Sequence, residues 1–222
     1  GTVSSLKGKN LYLAFGKNTK FNGDFNIEGL PNIDETYIHF DIKNLTTSRS
    51  DLQTIQVPPF EKDKRLEVPA NIGKFGVMKF KGKIDGLIND IAAYGTLSTA
   101  IGNLNADIGI SNLSDSKKTI AYHGKIKTNK LNLGVLLDNK DIGTVSMNVN
   151  LSGKGFTLDD LEAKMEGDIN QIQFKNYPYS NIKITGDFKK RLFNGKFESR
   201  DPNANLDFYG SASFVNKIPE LD

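Results

Sequence analysis

Few side chains in this sequence are equipped for covalent or acid–base chemistry. Its 222 residues include no Cys. That excludes disulfides, thiolate metal sites and a thiol nucleophile. The two His, His39 and His123, fall on the polar phase of alternating stretches, where a solvated strand residue is expected. Asp159-Asp160 would face opposite sides of a strand, a poor geometry for a paired acid and base, so a surface or turn position is expected. Asp24, Asp168 and Asp187 each follow a recurring Gly and in principle line up as a carboxylate ladder, although like charges placed opposite one another repel. Gly153-Lys154-Gly155 lacks the Ser/Thr and the spacing of a phosphate loop, and neither a Gly-x-Ser-x-Gly elbow nor an Asp-rich calcium loop occurs. Asn44-Leu45-Thr46 and Asn112-Leu113-Ser114 match a glycosylation acceptor only at the level of chance. The expectation is a protein that is not an enzyme and that needs no metal or cofactor.

The formal charge is +3 and the basic residues are spread along the chain. Only Arg49, Arg65, Arg191 and Arg200 are Arg, the side chain suited to forked phosphate recognition. A solvated Lys-rich surface is expected, with no nucleic-acid partner.

The elements that would carry any function are strands. Val145, Met147, Val149 and Leu151 alternate with Ser146, Asn148, Asn150 and Ser152. Ile38, Phe40 and Ile42, Ile182 and Ile184, and the run Leu104, Ala106, Ile108, Ile110 alternate in the same way. Strand side chains point alternately to the two faces of a sheet, so each stretch has one apolar and one wet face, the pattern of antiparallel strands covered on one side. An apolar-x-Gly-x-apolar unit recurs, as in Phe80-Lys81-Gly82-Lys83-Ile84 and Phe193-Asn194-Gly195-Lys196-Phe197, with Gly on the apolar phase. Gly within a strand marks a bend, a bulge or a close approach. Its irregular spacing excludes a propeller or a regular solenoid.

Helical signals are short. Ser50 to Ile55 reads as a helix capped by Ser50 or Asp51 and stopped by Pro58-Pro59. Leu133 to Leu137 reads as one turn, and Thr157 to Leu161 carries a capping-box pattern that gives way to an alternating strand from Leu161 to Gly167. A loose loop rich in Pro and charge is expected near 58–70. The fold class is therefore all-β, a long curled antiparallel sheet with at most one or two short helices. No composition break divides residues 1–222, which read as one segment cut from a larger protein.

Such a sheet buries its apolar face against a second sheet, against itself, or against a ligand. Four stretches bear on the choice: Gly29 to Ile38 with Leu45 to Ser48; Phe80 to Asp90 running into Ala93 to Leu97; Gly153 to Leu158; and Tyr177 to Gly186. Together they resemble the TamB/AsmA-like (translocation and assembly module) family of bridge-like periplasmic proteins. The resemblance implies a β-taco, a sheet curled into a U with a hydrophobic groove, in the periplasm of a Gram-negative bacterium. It implies a full-length protein anchored in the inner membrane and meeting a BamA-like outer-membrane barrel. It further implies phospholipid transport between the two membranes and outer membrane biogenesis.

On that reading about fourteen strands at ~4.8 Å spacing would form a rod on the order of 65 Å long. Its lining would be Ile38, Phe40, Ile42, Ile84, Val145, Met147, Val149, Ile182, Ile184 and Phe188. Phospholipid or another apolar chain would be the partner. Two alternatives stay open: a scaffold or chaperone for outer-membrane protein assembly, protein translocation or autotransporter secretion, and a closed β-sandwich or barrel that binds through its loops.

Overall fold

A computed structural model describes residues 4–30, 32–56, 65–113, 119–155, 159–215 and 220–222. The fold is all-β and antiparallel, with two short α-helices, as the alternation requires. Its backbone groups two compact units. One comprises residues 1–100 and 105–120, the other 101–104 and 121–222. The division falls inside the span that the sequence reads as one segment.

In the first unit the strands are β1 (Ser5–Phe15), β2 (Thr19–Glu28), β3 (Tyr37–Ser48), β4 (Val77–Leu87), β5 (Asp90–Thr99) and, from Asn105 onward, β6 (Gly102–Ser111). They neighbour one another in chain order. Helix α1 (Arg49–Leu52) follows β3, and 3-10 turns occupy Ile33–Glu35 and Ala70–Phe75. The helix overlaps the expected Ser50 to Ile55 span but ends at Leu52, and its cap is Ser48, whose side chain accepts from the Asp51 N–H, and not Ser50 or Asp51. Ser48 has the extended backbone that a cap requires, whereas Asp51 already lies inside the helix. Its predicted stop at Pro58-Pro59 lies outside the described residues, as does most of the loop expected near 58–70. The described part of that loop is tied down: Leu66 N–H bonds the Ile55 carbonyl, and Arg49 Nε donates to the carbonyls of Val68 and Pro69.

In the second unit the strands are β7 (Ala121–Asn129), β8 (Leu131–Asn132), β9 (Ile142–Lys154), β10 (Glu162–Phe174), β11 (Tyr177–Lys189), β12 (Leu192–Asp201), β13 (Ala204–Ser213) and β14 (Glu220–Leu221). β9 pairs with β7 and, further along, with β8; from β9 to β14 the order is sequential. Helix α2 (Leu133–Leu137) is the expected single turn, with the Asn132 side chain accepting from Val135 N–H. The Thr157 half of the capping-box stretch lies outside the described residues, and the alternating reading that follows it is β10. Among the described residues β1 has a strand partner on one side only, and β14 pairs only with β13 over two residues. Among the described residues the strands thus do not close into the barrel that the second alternative names.

Three two-residue polar insertions break the alternation, and each is a bulge. They are Lys9-Asn10, Lys43-Asn44 and Asn170-Gln171, flanked by Gly8 and Leu11, Ile42 and Leu45, and Ile169 and Ile172. An extra residue in one strand bends it and increases its twist. In the first unit the bulges are stitched together: Asn10 N–H donates to Asp24 Oδ1 at 2.6 Å and Lys43 Nζ to Asn10 Oδ1 at 2.6 Å.

Candidate functional site

Cross-strand register assembles the alternating apolar positions into rows that run perpendicular to the strands. In the first unit one row is Leu13, Phe21, Leu45, Phe80, Leu97 on β1 to β5. The next rows on the same face are Leu11, Gly23, Ile42, Gly82, Gly95 and Gly8, Phe25, Phe40, Ile84, Ala93. In the second unit Ile126, Val149, Gly167, Ile184, Phe197 and Phe208 form one row, and Tyr122, Gly153, Ala163, Phe188, Phe193 and Ala212 another. The recurring Gly therefore do lie on the apolar face, opposite one another or opposite large apolar side chains.

The ten residues expected to line a groove divide between the units. Ile38, Phe40, Ile42 and Ile84 are together in the first: Phe40 faces Ile84 across β3 and β4, and its ring contacts Phe25 and Phe21 at 6.0 Å between centroids. Ile42 is buried there, while Ile38, Phe40 and Ile84 are half-buried. This face opens toward β1, where Leu6, Leu13 and Phe15 are exposed. Val145, Met147, Val149, Ile182, Ile184 and Phe188 are together in the second unit. Val145 and Val149 are only 1% exposed. No second sheet supplies that burial among the described residues; around Val145 the cover comes from side chains of the same face and from the β8–α2 segment, whose Leu131 and Leu133 pack into the cluster. Phe188 and Met147 are half-buried at its margin. The first unit thus offers an accessible apolar surface, whereas the second holds a packed core at the same phase.

The polar faces carry the ionisable groups. His39 is on the polar phase, as expected, but it has a partner: its Nδ1 is paired with Asp85 Oδ1 across β3 and β4. The carboxylate ladder does not form. Asp24 is taken by the β1 bulge, Asp187 lies opposite Lys164 and pairs with it at 3.9 Å, and Asp168 lies opposite Lys183. Asp159 is in a turn and accepts from Arg191 Nε at 2.6 Å. Among the described residues no cluster of three or more His, Asp or Glu is placed to hold a metal ion.

Two buried carboxylates carry roles that the sequence does not show: Asp51 reads there only as a candidate helix cap, and Asp201 carries no signal. Asp51, 4% exposed, accepts from the backbone N–H of Asn18 at 2.7 Å, of Thr19 at 2.8 Å and of Lys17 at 3.3 Å, and from Thr19 Oγ1 at 3.0 Å, so it closes the β1–β2 turn. The Asn18 backbone bond, with those from Lys17 and Thr19, holds its carboxyl below the ordinary range despite the opposing effect of burial. Asp201, 2% exposed, accepts from the Asn203 and Ser180 N–H groups and from Ser180 Oγ, each at 2.9 Å, and from Tyr177 OH at 3.0 Å. Its carboxyl is lowered by the Asn203 N–H bond first and then by Ser180 and Tyr177. Both serve as turn and strand-end locks. Their partners lie up to 34 residues away, so no local motif announces them.

The candidate site among the described residues is therefore an extended apolar face. No family model, no curated protein and no solved structure matches the chain.

Proposed function

We propose that the chain shelters the acyl chains of phospholipid on the apolar rows of its sheet, as a segment of a protein that carries lipid between two membranes. One observation carries this reading: the row Leu13, Phe21, Leu45, Phe80, Leu97 continues across five successive strands and opens to solvent at its β1 end. An acyl chain laid along such a row crosses the strands at ~4.8 Å per step and gains about 0.8 kcal/mol per buried CH₂. Because each step offers a similar apolar surface, displacement by one strand changes little, and a chain slides without leaving a deep well. No catalytic side chain enters this process. The periplasmic setting, the inner-membrane anchor and the BamA-like partner come from the resemblance to the TamB/AsmA-like family alone.

The test is lipid extraction from the purified protein followed by mass spectrometry. Co-purifying phospholipid, competed away by added fatty acid, is the expected result. A lipid-free protein that also fails to take up phospholipid from vesicles overturns the reading.

One feature favours a second reading, a scaffold for outer-membrane polypeptides. Among the described residues β1 presents eleven residues with no strand on its outer side, and an extended chain can add to such an edge by main-chain hydrogen bonds. Crosslinking from β1 that recovers unfolded outer-membrane protein, with no lipid found, would select it.

A further inference from the structure

The polar face of the second unit contains a cavity of about 490 Å³. It lies on the side opposite the apolar rows and owes nothing to the acyl-chain reading. Its floor is a row of cross-strand neighbours, Lys127, Asn148, Asp168, Lys183 and Glu198, on β7, β9, β10, β11 and β12. The backbone opens there for identifiable reasons. β10 bulges at Asn170, Asn181 on β11 has a positive φ of 55°, and pairing of β11 with β12 stops at Ile182 and Ser199. Beyond that point the Asp201 carboxylate replaces the ladder by accepting from Ser180.

The hydrogen-bonding groups of the row are unevenly used. Glu198 is paired with Lys196, and Arg200 at the rim with Asp207 at 2.7 Å. The side chains of Lys127, Asp168 and Lys183 make no hydrogen bond or ion pair among the described residues, although Asp168 and Lys183 are direct neighbours. Between Lys127 and Asp168, Asn148 Oδ1 is buried without a donor. A buried acceptor left unmade costs free energy and calls for a donor. The cavity thus presents two free ammonium groups and one free carboxylate, an excess of one positive charge, over the buried amide oxygen of Asn148.

We propose that this cavity binds a small acidic sugar, a molecule with one anionic group and several hydroxyls. The anionic group would compensate the excess cation, and the hydroxyls, which both donate and accept, would bridge the Asp168 carboxylate to the ammonium groups. A bare anion meets the lysines but is repelled by Asp168, to which it offers no donor. A neutral sugar leaves the excess charge unmatched. The volume lies within the range of small-molecule pockets, about 300–1,000 Å³.

Isothermal titration calorimetry of the whole chain at low salt decides the matter, with glucuronate, glucose and inorganic phosphate as probes. Glucuronate should bind saturably with a Kd near or below about 1 mM, at least ~10-fold tighter than glucose or phosphate. Asp168→Asn and Lys183→Met should each weaken it by about fivefold or more, and Lys164→Met, on the same face beside Asp187, should not. Both altered side chains are exposed, so the circular dichroism of the variants should match the parent; if Asp168→Asn does not fold, Lys127→Met takes its place. Equal binding of phosphate reduces the site to a cation patch and overturns the proposal. So do equal binding of glucose, absence of binding by all three probes, and glucuronate affinity unmoved by Lys183→Met.

Discussion

Gly195 stands opposite Gly186 across β12 and β11, and the edge of the Phe193 ring lies beside both. A Cβ built on Gly195 would come within 2.5 Å of the Gly186 Cα and 3.1 Å of Phe193 Cζ, and it would fall on the Thr185 carbonyl oxygen. The same arrangement recurs in the first unit, where Gly82 faces Gly95 beside the ring of Phe80. Here the recurring Gly is a place where two backbones and a ring approach too closely for any side chain.

Gly195→Ala should therefore destabilise the fold by about 1–3 kcal/mol, the cost of overpacking against backbone that cannot yield. Gly73→Ala, whose nearest neighbour would be Arg49 Cδ at 3.4 Å, should stay within about 0.5 kcal/mol. Urea midpoints with unchanged m-values would measure both. Equal effects at the two positions would show that Gly195 does not owe its identity to close approach.

Acid should expose the Asp51 lock. Its folded-state pKa is depressed, so across the window between the ordinary carboxylate value, about 3.9, and the lower folded value the unfolded chain binds more protons. Stability contributed by Asp51 is present above that window and is lost as pH falls through it. Asp51→Asn should lower the melting temperature at neutral pH and flatten its decline on acidification. An unchanged acid limb in the variant would rule out this role.

How much of this was readable beforehand depends on whether the signal is local. The phase of Val145, Met147 and Val149 follows from alternation alone, and the rows follow once neighbouring strands are paired in chain order. The bulges were also written locally, as Ile42-Lys43-Asn44-Leu45 and Ile169-Asn170-Gln171-Ile172, where two polar residues in succession shift the apolar phase by one. The distinction between the accessible face at Phe40 and the packed one at Val145 was not readable. It depends on Leu131 and Leu133 folding back onto β9, a contact that the alternation of β9 does not encode. Asp51 and Asp201 escaped for the same reason, since a lone Asp shows nothing of donors on a distant turn.

At the alkaline end the group to watch is Tyr122. Burial, and then the nearby Asp160 charge, push its phenol up to about 12, while its OH donates to the Gly155 carbonyl at 3.0 Å. The folded chain thus holds a proton that the unfolded one releases near pH 10. The stabilisation is complete below that pH and is lost as pH rises toward 12. In an ultraviolet titration, Tyr122→Phe should remove the latest phenolate transition and soften the fall in melting temperature above pH 10. A Tyr122 that ionises near pH 10 would refute the assignment.

The contrast between the two apolar faces gives the sharpest test of the lipid reading. Leu13 is exposed at the open end of its row, so Leu13→Asp should cost within about 0.5 kcal/mol of stability, as surface changes do. It would nevertheless place a charge where an acyl chain enters, and phospholipid recovered per mole of protein should fall by at least about half, given a loss of roughly 0.8 kcal/mol for each CH₂ no longer covered. Ile182, 2% exposed in the packed face, should behave in the opposite way. Ile182→Asp buries a charge without a partner and should abolish the cooperative unfolding transition itself. Lipid yield by mass spectrometry and melting by circular dichroism, read on both variants, separate binding from folding. If Leu13→Asp and the parent recover the same lipid, the row that ends at Leu13 is not the path of the acyl chain.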